Sequence, residues 1–170
     1  MDGYRIGMTS RQTTSPATAR RFDSPEQEAY LALWRTYDRL RAFEDDLFGQ
    51  FELTAQQYNL LRLLAADHPE AVPASKLLAR LVSKAPDITR MLDRLEARGL
   101  LTRCRSGEDR RAIFVAITEA GLKLLSELVG PLADCHDRQL GHLRQTELQC
   151  LIALLQAARA PHEPAGSPWK

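Results

Sequence analysis

A change of hydrophobic period near the middle of the chain limits the folds that this sequence can adopt. Over residues 86–98 the apolar side chains recur at helical spacing, and Gly99 follows as a C-cap glycine would. Residues 100–105 and 112–117 then favour β-strands, since Ile113, Val115 and Ile117 alternate, and residues 106–109 favour a turn. The sequence therefore predicts a β-hairpin directly after a helix.

Helical patterns surround this hairpin on both sides. Capping signals mark the predicted starts of helices 1, 2, 5 and 6: Ser24 with Gln27, Thr54 with Gln57, Thr118, and Thr146 with Gln149. Helices 3 and 4 are predicted over about residues 74–81 and 86–98, with a loop at residues 68–73. The predicted fold is mainly α with a small β-hairpin wing, a winged helix-turn-helix with a helical dimerisation region.

The predicted domain organisation is one domain with two flexible ends. Residues 1–23 form a flexible arm with little apolar periodicity, and residues 161–170 form a flexible tail with three prolines. Within the single domain at residues 24–160, residues 54–117 form the DNA-binding lobe and helices 1, 5 and 6 the dimerisation region. One chain cannot easily bury the apolar stripes of all three helices, so we expect a homodimer.

Composition excludes several classes of protein. The 170 residues are 44% hydrophobic and 26% charged, which is typical of a globular chain. We see no membrane span and no secretory signal, so we expect a cytoplasmic protein without a membrane partner. Cys104, Cys135 and Cys150 have no disulfide or zinc-finger spacing. No catalytic, nucleotide-binding or metal motif is visible, and we expect neither an enzyme nor a cofactor.

The basic residues are concentrated in one segment. The net charge of +1 does not by itself indicate a nucleic-acid partner, but residues 84–111 hold eight Lys or Arg against five Asp or Glu. In helix 4, Arg90 and Arg94 lie on a polar face opposite Ile88, Met91, Leu92 and Leu95. Two like charges four residues apart repel each other unless an anion meets them. The pattern predicts contact with the major groove, the alternative being a solvated charged face.

The predicted wing tip carries two more arginines, Arg110 and Arg111, which suit a narrow minor groove. Asp109 lies within reach of Arg111 and would fix the direction of its guanidinium, although a solubilising turn with a weak ion pair would look the same. The candidate DNA-binding residues are Lys84, Pro86, Asp87, Thr89, Arg90, Arg94, Asp109, Arg110 and Arg111.

Residues 74–121 resemble the MarR family of bacterial regulators. The resemblance rests on Asp93-Arg94-Leu95-Glu96 followed by Gly99-Leu100, on Asp109-Arg110-Arg111, and on Thr118-Glu119-Ala120-Gly121, all at the family's spacing. It implies a triangular dimer, with helix 4 in the major groove and Arg111, oriented by Asp109, in the minor groove. The expected function is that of a repressor that binds double-stranded DNA at a pseudo-palindromic operator and responds to a ligand or stress. The alternative is a winged-helix protein-interaction module without DNA binding.

A regulator of this kind needs a signal, and the sequence offers two candidates. Trp34, Tyr37, Arg41 and Tyr58 could line a cleft for a small aromatic or anionic effector, unless the aromatic rings are helix-packing core. Oxidant-sensing members of the family carry a cysteine near the start of helix 1, which this chain lacks. Cys104 is the best placed of the three cysteines for redox chemistry, and the alternative is three ordinary thiols.

Overall fold

A computed structural model describes residues 22–82, 87–105 and 113–167, so all but the last two residues of the predicted arm at residues 1–23 lie outside the described part. In chain order the elements are α1 (Pro25–Gln50), α2 (Ala55–Asp67), β1 (Val72–Pro73), α3 (Ala74–Arg80), α4 (Ile88–Ala97), β2 (Leu101–Arg105), β3 (Ile113–Ile117), α5 (Glu119–Leu140), α6 (Gln145–Arg159) and a 3₁₀ turn (Ala160–His162). The predicted fold class is confirmed. The chain divides into two units, residues 1–38 and 39–170.

The first unit holds the N-terminal part of α1. Ser24 Oγ accepts a hydrogen bond from the backbone N–H of Gln27 at 3.2 Å, so the predicted N-cap is confirmed. In a capping box the Gln27 side chain would accept from the backbone N–H of the N-cap residue, Ser24. Here Gln27 Oε1 accepts instead from the N–H of Asp23 at 2.8 Å. The Tyr30 and Trp34 rings lie 6.3 Å apart, and both side chains are exposed.

The second unit contains the hydrophobic core. In α2 the predicted capping box is complete: the N–H of Thr54 donates to Gln57 Oε1 at 2.8 Å, and Gln57 N–H donates to Thr54 Oγ1 at 3.2 Å. The capping box fixes where α2 begins, and one face of the helix packs into the core. The side chains that are almost completely buried are Phe48, Leu60, Leu61, Leu64, Leu77, Leu95, Leu101, Val115 and Leu128. They join α1, α2, α3, α4, α5 and the sheet around one core.

The sheet is antiparallel, with strand order β1-β3-β2. The predicted hairpin strands pair in register from Leu101 opposite Ile117 to Arg105 opposite Ile113. The prediction of a simple loop at residues 68–73 is wrong, because Val72 and Pro73 pair with β3. Two residues are too few to show a period, and Pro73 is tolerated because β1 is an edge strand.

One further boundary differs from the sequence prediction. Helix α5 continues through Pro131 as predicted, and α6 begins at Gln145 rather than at Thr146. The reason lies in Glu147, whose carboxylate accepts from the backbone N–H of Arg144 at 2.8 Å. After α6, Ser167 Oγ donates to Glu163 at 2.6 Å, so residues 160–167 have local structure of their own. Among the described helices, none is long and apolar enough to cross a membrane.

Candidate nucleic-acid interface

Helix α4 has one buried and one exposed face, as its sequence predicts. Met91, Leu92 and Leu95 are buried in the core, whereas Thr89, Arg90 and Arg94 are exposed. A helix that packs in this way presents its arginines outward from a fixed surface. The predicted division of polar and apolar residues is therefore confirmed for the described part of α4.

The start of α4 lies one residue later than Asp87, so the prediction that the helix begins at Pro86 is wrong. Asp87 is the N-cap, and one carboxylate oxygen accepts from the backbone N–H of Arg90 at 3.0 Å. The other oxygen lies 2.9 Å from Arg90 Nε. The Arg90 side chain is 78% exposed. One aspartate therefore both begins the helix and holds the exposed guanidinium at its first turn.

The structure describes only part of the predicted site. Asp87, Thr89, Arg90 and Arg94 come together on the exposed side of one short helix. The other predicted DNA-binding residues lie outside the described residues: Lys84, Pro86, Asp109, Arg110 and Arg111. The predicted wing tip and the entry to α4 therefore stay predictions.

Arg103 in β2 has a structural role that the sequence did not reveal. Its Nη1 lies 2.7 Å from Asp93 Oδ1, and its Nε donates to Glu96 Oε2 at 2.8 Å. Its hydrogen bonds to the Glu96 carboxylate hold the pKa of Glu96 below its usual range, and those same bonds raise the pKa of Arg103. The wing strand and α4 are thus joined through their side chains. Arg103 belongs to the predicted basic segment, but its charge is balanced inside the protein.

The C-terminal end of α4 is closed by a Schellman motif. Gly99 has φ +69°, its N–H donates to Glu96 O at 2.8 Å, and the N–H of Leu100 donates to Leu95 O at 3.0 Å. Only glycine adopts this backbone conformation without strain. The predicted C-cap role of Gly99 is therefore confirmed.

The same end of α4 meets the start of α5. Thr118 Oγ1 donates to Gly99 O at 2.6 Å and accepts from the N–H of Gly121 at 3.1 Å. A Cβ at position 121 would lie 2.3 Å from Leu100 O and 2.7 Å from Ile117 Cγ1. Gly121 is required because the backbone of α5 approaches the hairpin too closely for a side chain. The Thr-x-x-Gly pattern of the sequence thus fixes the exit of the wing to the end of α4.

The predicted effector residues are divided between the two units of the chain. Trp34 and Tyr37 belong to the first unit, and each is 61% exposed. In the second unit, Arg41 Nε lies 3.1 Å from Asp45 Oδ2, and the half-buried Tyr58 ring stacks on Phe48 at 4.9 Å between centroids. Tyr58 packs against the core, as the alternative interpretation of the aromatic residues requires. A cleft that uses all four residues stays a prediction.

The three cysteines have different surroundings. Cys104 and Cys150 are exposed and Cys135 is buried, and all three are free thiols. Burial, with a smaller effect of Glu44, raises the pKa of the Cys135 thiol. Arg103 and Arg105 flank Cys104 in the sequence, and Arg103 is engaged by Asp93 and Glu96. Within the described ranges, no group of three or more His, Cys, Asp or Glu side chains could hold a metal ion.

Comparison with known proteins agrees with this geometry. A family model described as "MarR family" matches residues 53–113, which extend from the start of α2 to the start of β3. The crystal structure of a MarR transcription factor from Planctomyces limnophilus shares 56% sequence identity, with a TM-score of 0.65 over 81% of this chain and 99% of that one.

Curated relatives match over somewhat less than two thirds of this chain. The transcriptional regulator HosA of Escherichia coli O157:H7 is 33% identical over 106 residues, which are 62% of this chain and 76% of HosA. The HTH-type transcriptional regulator PecS of Dickeya dadantii is 30% identical over 112 residues, 65% of this chain and 68% of PecS. The motifs, the winged-helix fold and these similarities together show that the chain belongs to the MarR family of transcriptional regulators.

Proposed function

We propose that this protein regulates transcription by binding a pseudo-palindromic DNA operator as a homodimer, with α4 in the major groove. The observation that carries the proposal is the exposed face of α4, where Arg90 and Arg94 follow one another by one turn on a helix whose opposite face is fixed in the core. Arginine can donate two hydrogen bonds to guanine O6 and N7 in the major groove. Because the opposite face of α4 is packed into the core, the guanidinium donors of Arg90 and Arg94 project from a helix with a fixed position.

The contact between Asp87 and Arg90 gives the proposed roles of these residues. Asp87 Oδ2 lies 2.9 Å from Arg90 Nε, and this contact restricts the rotation of the guanidinium. An aspartate in this position also repels phosphates, so Arg90 is better suited to a base edge than to the DNA backbone. Thr89 and Arg94 flank it, and we propose that they contact phosphates or neighbouring bases.

The remaining predicted residues complete the proposed interface. Lys84 and Pro86 precede α4 in the chain, and Arg110 and Arg111, with Asp109, lie between the two hairpin strands. A wing arginine suits the minor groove, where narrow A·T stretches concentrate negative potential. We propose that Arg111 occupies that groove and that Asp109 orients it.

The homodimer is supported by apolar side chains that one chain leaves in solvent. In α6, Ile152, Leu154 and Leu155 are exposed, and in α5 Val129 is exposed as well. Burial of such side chains against a second copy is favourable by about 1.5–3 kcal/mol each. Helices α1, α5 and α6 are therefore proposed as the dimerisation region, and the lobe at residues 54–117 as the DNA-binding part of a single domain at residues 24–160.

The proposal also includes a cytoplasmic location, repression as the mode of action, and release by a small aromatic or anionic effector near Trp34, Tyr37, Arg41 and Tyr58. A protein-interaction module without DNA binding is not favoured, because the family model and the curated relatives are those of transcriptional regulators. No reaction is proposed for this chain.

The experiment that tests the proposal is a binding titration of the full chain against the promoter DNA upstream of its own gene, beside a scrambled duplex, at two salt concentrations. We expect tight binding that weakens with salt and prefers the promoter. Arg90→Ala should cost about 1–3 kcal/mol at defined base pairs and less on the scrambled duplex. Arg62→Ala, which removes the same charge from the exposed face of α2, is the matched control.

Two results would change the proposal. Equal affinity of the wild-type protein for both duplexes would exclude sequence-specific binding to this promoter. Equal loss of affinity for both duplexes in Arg90→Ala would make Arg90 a phosphate contact rather than a reader of bases.

A further inference from the structure

Arg98, the last residue of the turn that ends α4, joins that turn to a distant part of the chain. Its Nη1 donates to the carbonyl oxygen of Glu52 at 2.6 Å, and its Nη2 donates to the carbonyl oxygen of Phe51 at 3.0 Å. The Arg98 side chain is only 31% exposed, although it carries a full charge. Its partners precede it by 46 and 47 residues and lie in the connection between α1 and α2. We call this pair of hydrogen bonds the Arg98 bridge.

The acceptors of the Arg98 bridge directly follow the C-terminal end of α1. That end is a second Schellman motif, since the N–H of Leu53 donates to Phe48 O at 2.9 Å and the N–H of Glu52 donates to Gly49 O at 3.0 Å. Glu52 has φ +53°, a conformation that glycine would normally occupy. The terminal carbonyls of a helix carry the negative end of its dipole, and the last turn of α1 has no basic residue of its own. The cation at this end of α1 comes from α4.

We infer that Arg98 is a positioning residue for DNA recognition, because it fixes the C-terminal end of α4 on the α1–α2 corner. The inference rests on the proposed function of α4. The planar guanidinium spans two consecutive carbonyl groups, so it restrains direction as well as distance. At the other end of α4, the contacts that the Asp87 side chain makes with described residues are with Arg90, in the helix's own first turn. Core packing and the Arg103 contacts also hold α4, and the Arg98 bridge adds a directional restraint at its C-terminal end, on which the inclination of the face that carries Arg90 and Arg94 depends.

A purely stabilising role predicts a different result. If Arg98 only added stability, its removal would leave the relative affinity for two DNA sequences unchanged once the protein is folded. A tilted α4 still brings its charges to phosphates but misplaces the guanidinium of Arg90 relative to base edges. The ratio of affinities for promoter and scrambled DNA thus separates the two roles.

The test compares full-length Arg98→Ala, Arg98→Lys and the control Arg62→Ala at a temperature where far-UV circular dichroism shows each to be folded. We expect Arg98→Ala to lose about tenfold in promoter affinity, as for loss of a charged hydrogen bond, and less for scrambled DNA. Arg98→Lys should recover part of that loss, since an ammonium can reach one carbonyl but lacks the planar fork. Arg62→Ala should leave the ratio of affinities as in the wild type. An unchanged ratio in Arg98→Ala would overturn the inference.

A measurement without DNA keeps the inference separate from the proposed function. Amide hydrogen exchange of the wild type and Arg98→Ala reports on residues 48–54 and 95–100 individually. We expect Arg98→Ala to exchange faster in both segments, because the bridge connects them. Unchanged exchange at residues 48–54 would overturn the bridge even if the protein binds its promoter. If the wild type shows no promoter preference, the proposed function fails, and the exchange rates still decide whether Arg98 holds α4.

Discussion

Helices α4 and α6 are both exposed to solvent along one side, but this chain fixes them to very different degrees. Three of the ten residues of α4 are buried, and hydrogen bonds to the Glu52 carbonyl and from the Thr118 hydroxyl hold its C-terminal end. None of the fifteen residues of α6, all of them described, is buried. Leu95 in α4 is completely buried, whereas Leu154 in α6 is 63% exposed.

The difference indicates which kind of partner surface each helix can bind. The exposed face of α4 is polar and charged, and its placement is complete within one chain. The exposed side chains of α6 include Ile152, Leu154 and Leu155, which remain in contact with water unless a second surface covers them. A single chain therefore determines the orientation of the helix proposed to read DNA, while α6 needs the proposed dimer to complete its packing.

The largest expected effect is on the buried side of α4. Leu95→Ala should lower the free energy of unfolding by about 2–5 kcal/mol, because it leaves a cavity at a completely buried site. Urea denaturation followed by circular dichroism measures the change. The control is Leu78→Ala, an exposed leucine of α3, for which we expect a change within about 0.5 kcal/mol. Equal losses in the two variants would contradict the description of α4 as fixed by the core.

On α6 we expect an effect on assembly rather than on the fold of one chain. Leu154→Asp should raise the dissociation constant of the proposed dimer by at least about thirtyfold, since each copy loses an apolar side chain and gains a charge at the interface. Sedimentation velocity over a concentration series measures the change. Arg159→Ala, at the end of the same helix, serves as a comparison for altered charge. A wild-type protein that is monomeric at all concentrations would remove the basis for this prediction and for the dimer.

The junction between α4 and α5 gives an intermediate effect. Gly121→Ala should lower the free energy of unfolding by about 1–3 kcal/mol, because the added Cβ would lie 2.3 Å from the carbonyl oxygen of Leu100. In Gly49→Ala, near the end of α1, an added Cβ meets nothing within 4 Å apart from its chain neighbours, and we expect a gain of about 0.5–1 kcal/mol from helix propensity. Thermal unfolding of both variants measures the contrast, and the same sign of change in both would contradict the close approach at Gly121.

The smallest effect is a pH dependence of the link between α4 and β2. Because the pKa of Glu96 is lowered by hydrogen bonds from Arg103, its contribution to stability is present at neutral pH and is lost as the pH falls through that lowered pKa. The difference in free energy of unfolding between the wild type and Glu96→Gln should therefore shrink on acidification. Urea titrations between pH 7 and pH 3 measure it. In an Arg103→Gln background the pH dependence should disappear, and its persistence there would assign it to another group.

The sequence predicted the parts of this fold that depend on local signals. The capping pairs at Ser24, Thr54 and Thr118 correspond to real helix starts, and Gly99 ends α4 in the expected conformation. Such signals act between residues three or four apart, so one segment contains all the information. The two-residue strand β1 was missed because it has no period of its own and exists only through its pairing with β3.

The candidate site could be predicted in outline but not in its connections. The faces of α4 followed from spacing alone, and so did the exposure of Arg90. The different roles of the arginines did not, because Arg98 and Arg103 are committed to partners through contacts that a count of charges cannot reveal. The start of α4 was placed too early because Asp87 was treated as a DNA-binding candidate within the helix rather than as its cap.

The burial of Cys135 makes the rate of its reaction with a thiol reagent a measure of local opening between α1 and α5. Cys135 is 4% exposed in α5 and lines a pocket together with Phe43, Leu47 and Pro131, whereas Cys104 and Cys150 are open to solvent. A thiol reagent will therefore react with the two outer cysteines at once and with Cys135 only when the two helix segments part. The rate of the slow labelling phase then measures how often the segments of α1 and α5 around Cys135 separate. A change in this rate on addition of DNA shows whether DNA binding at α4 alters the packing of α5.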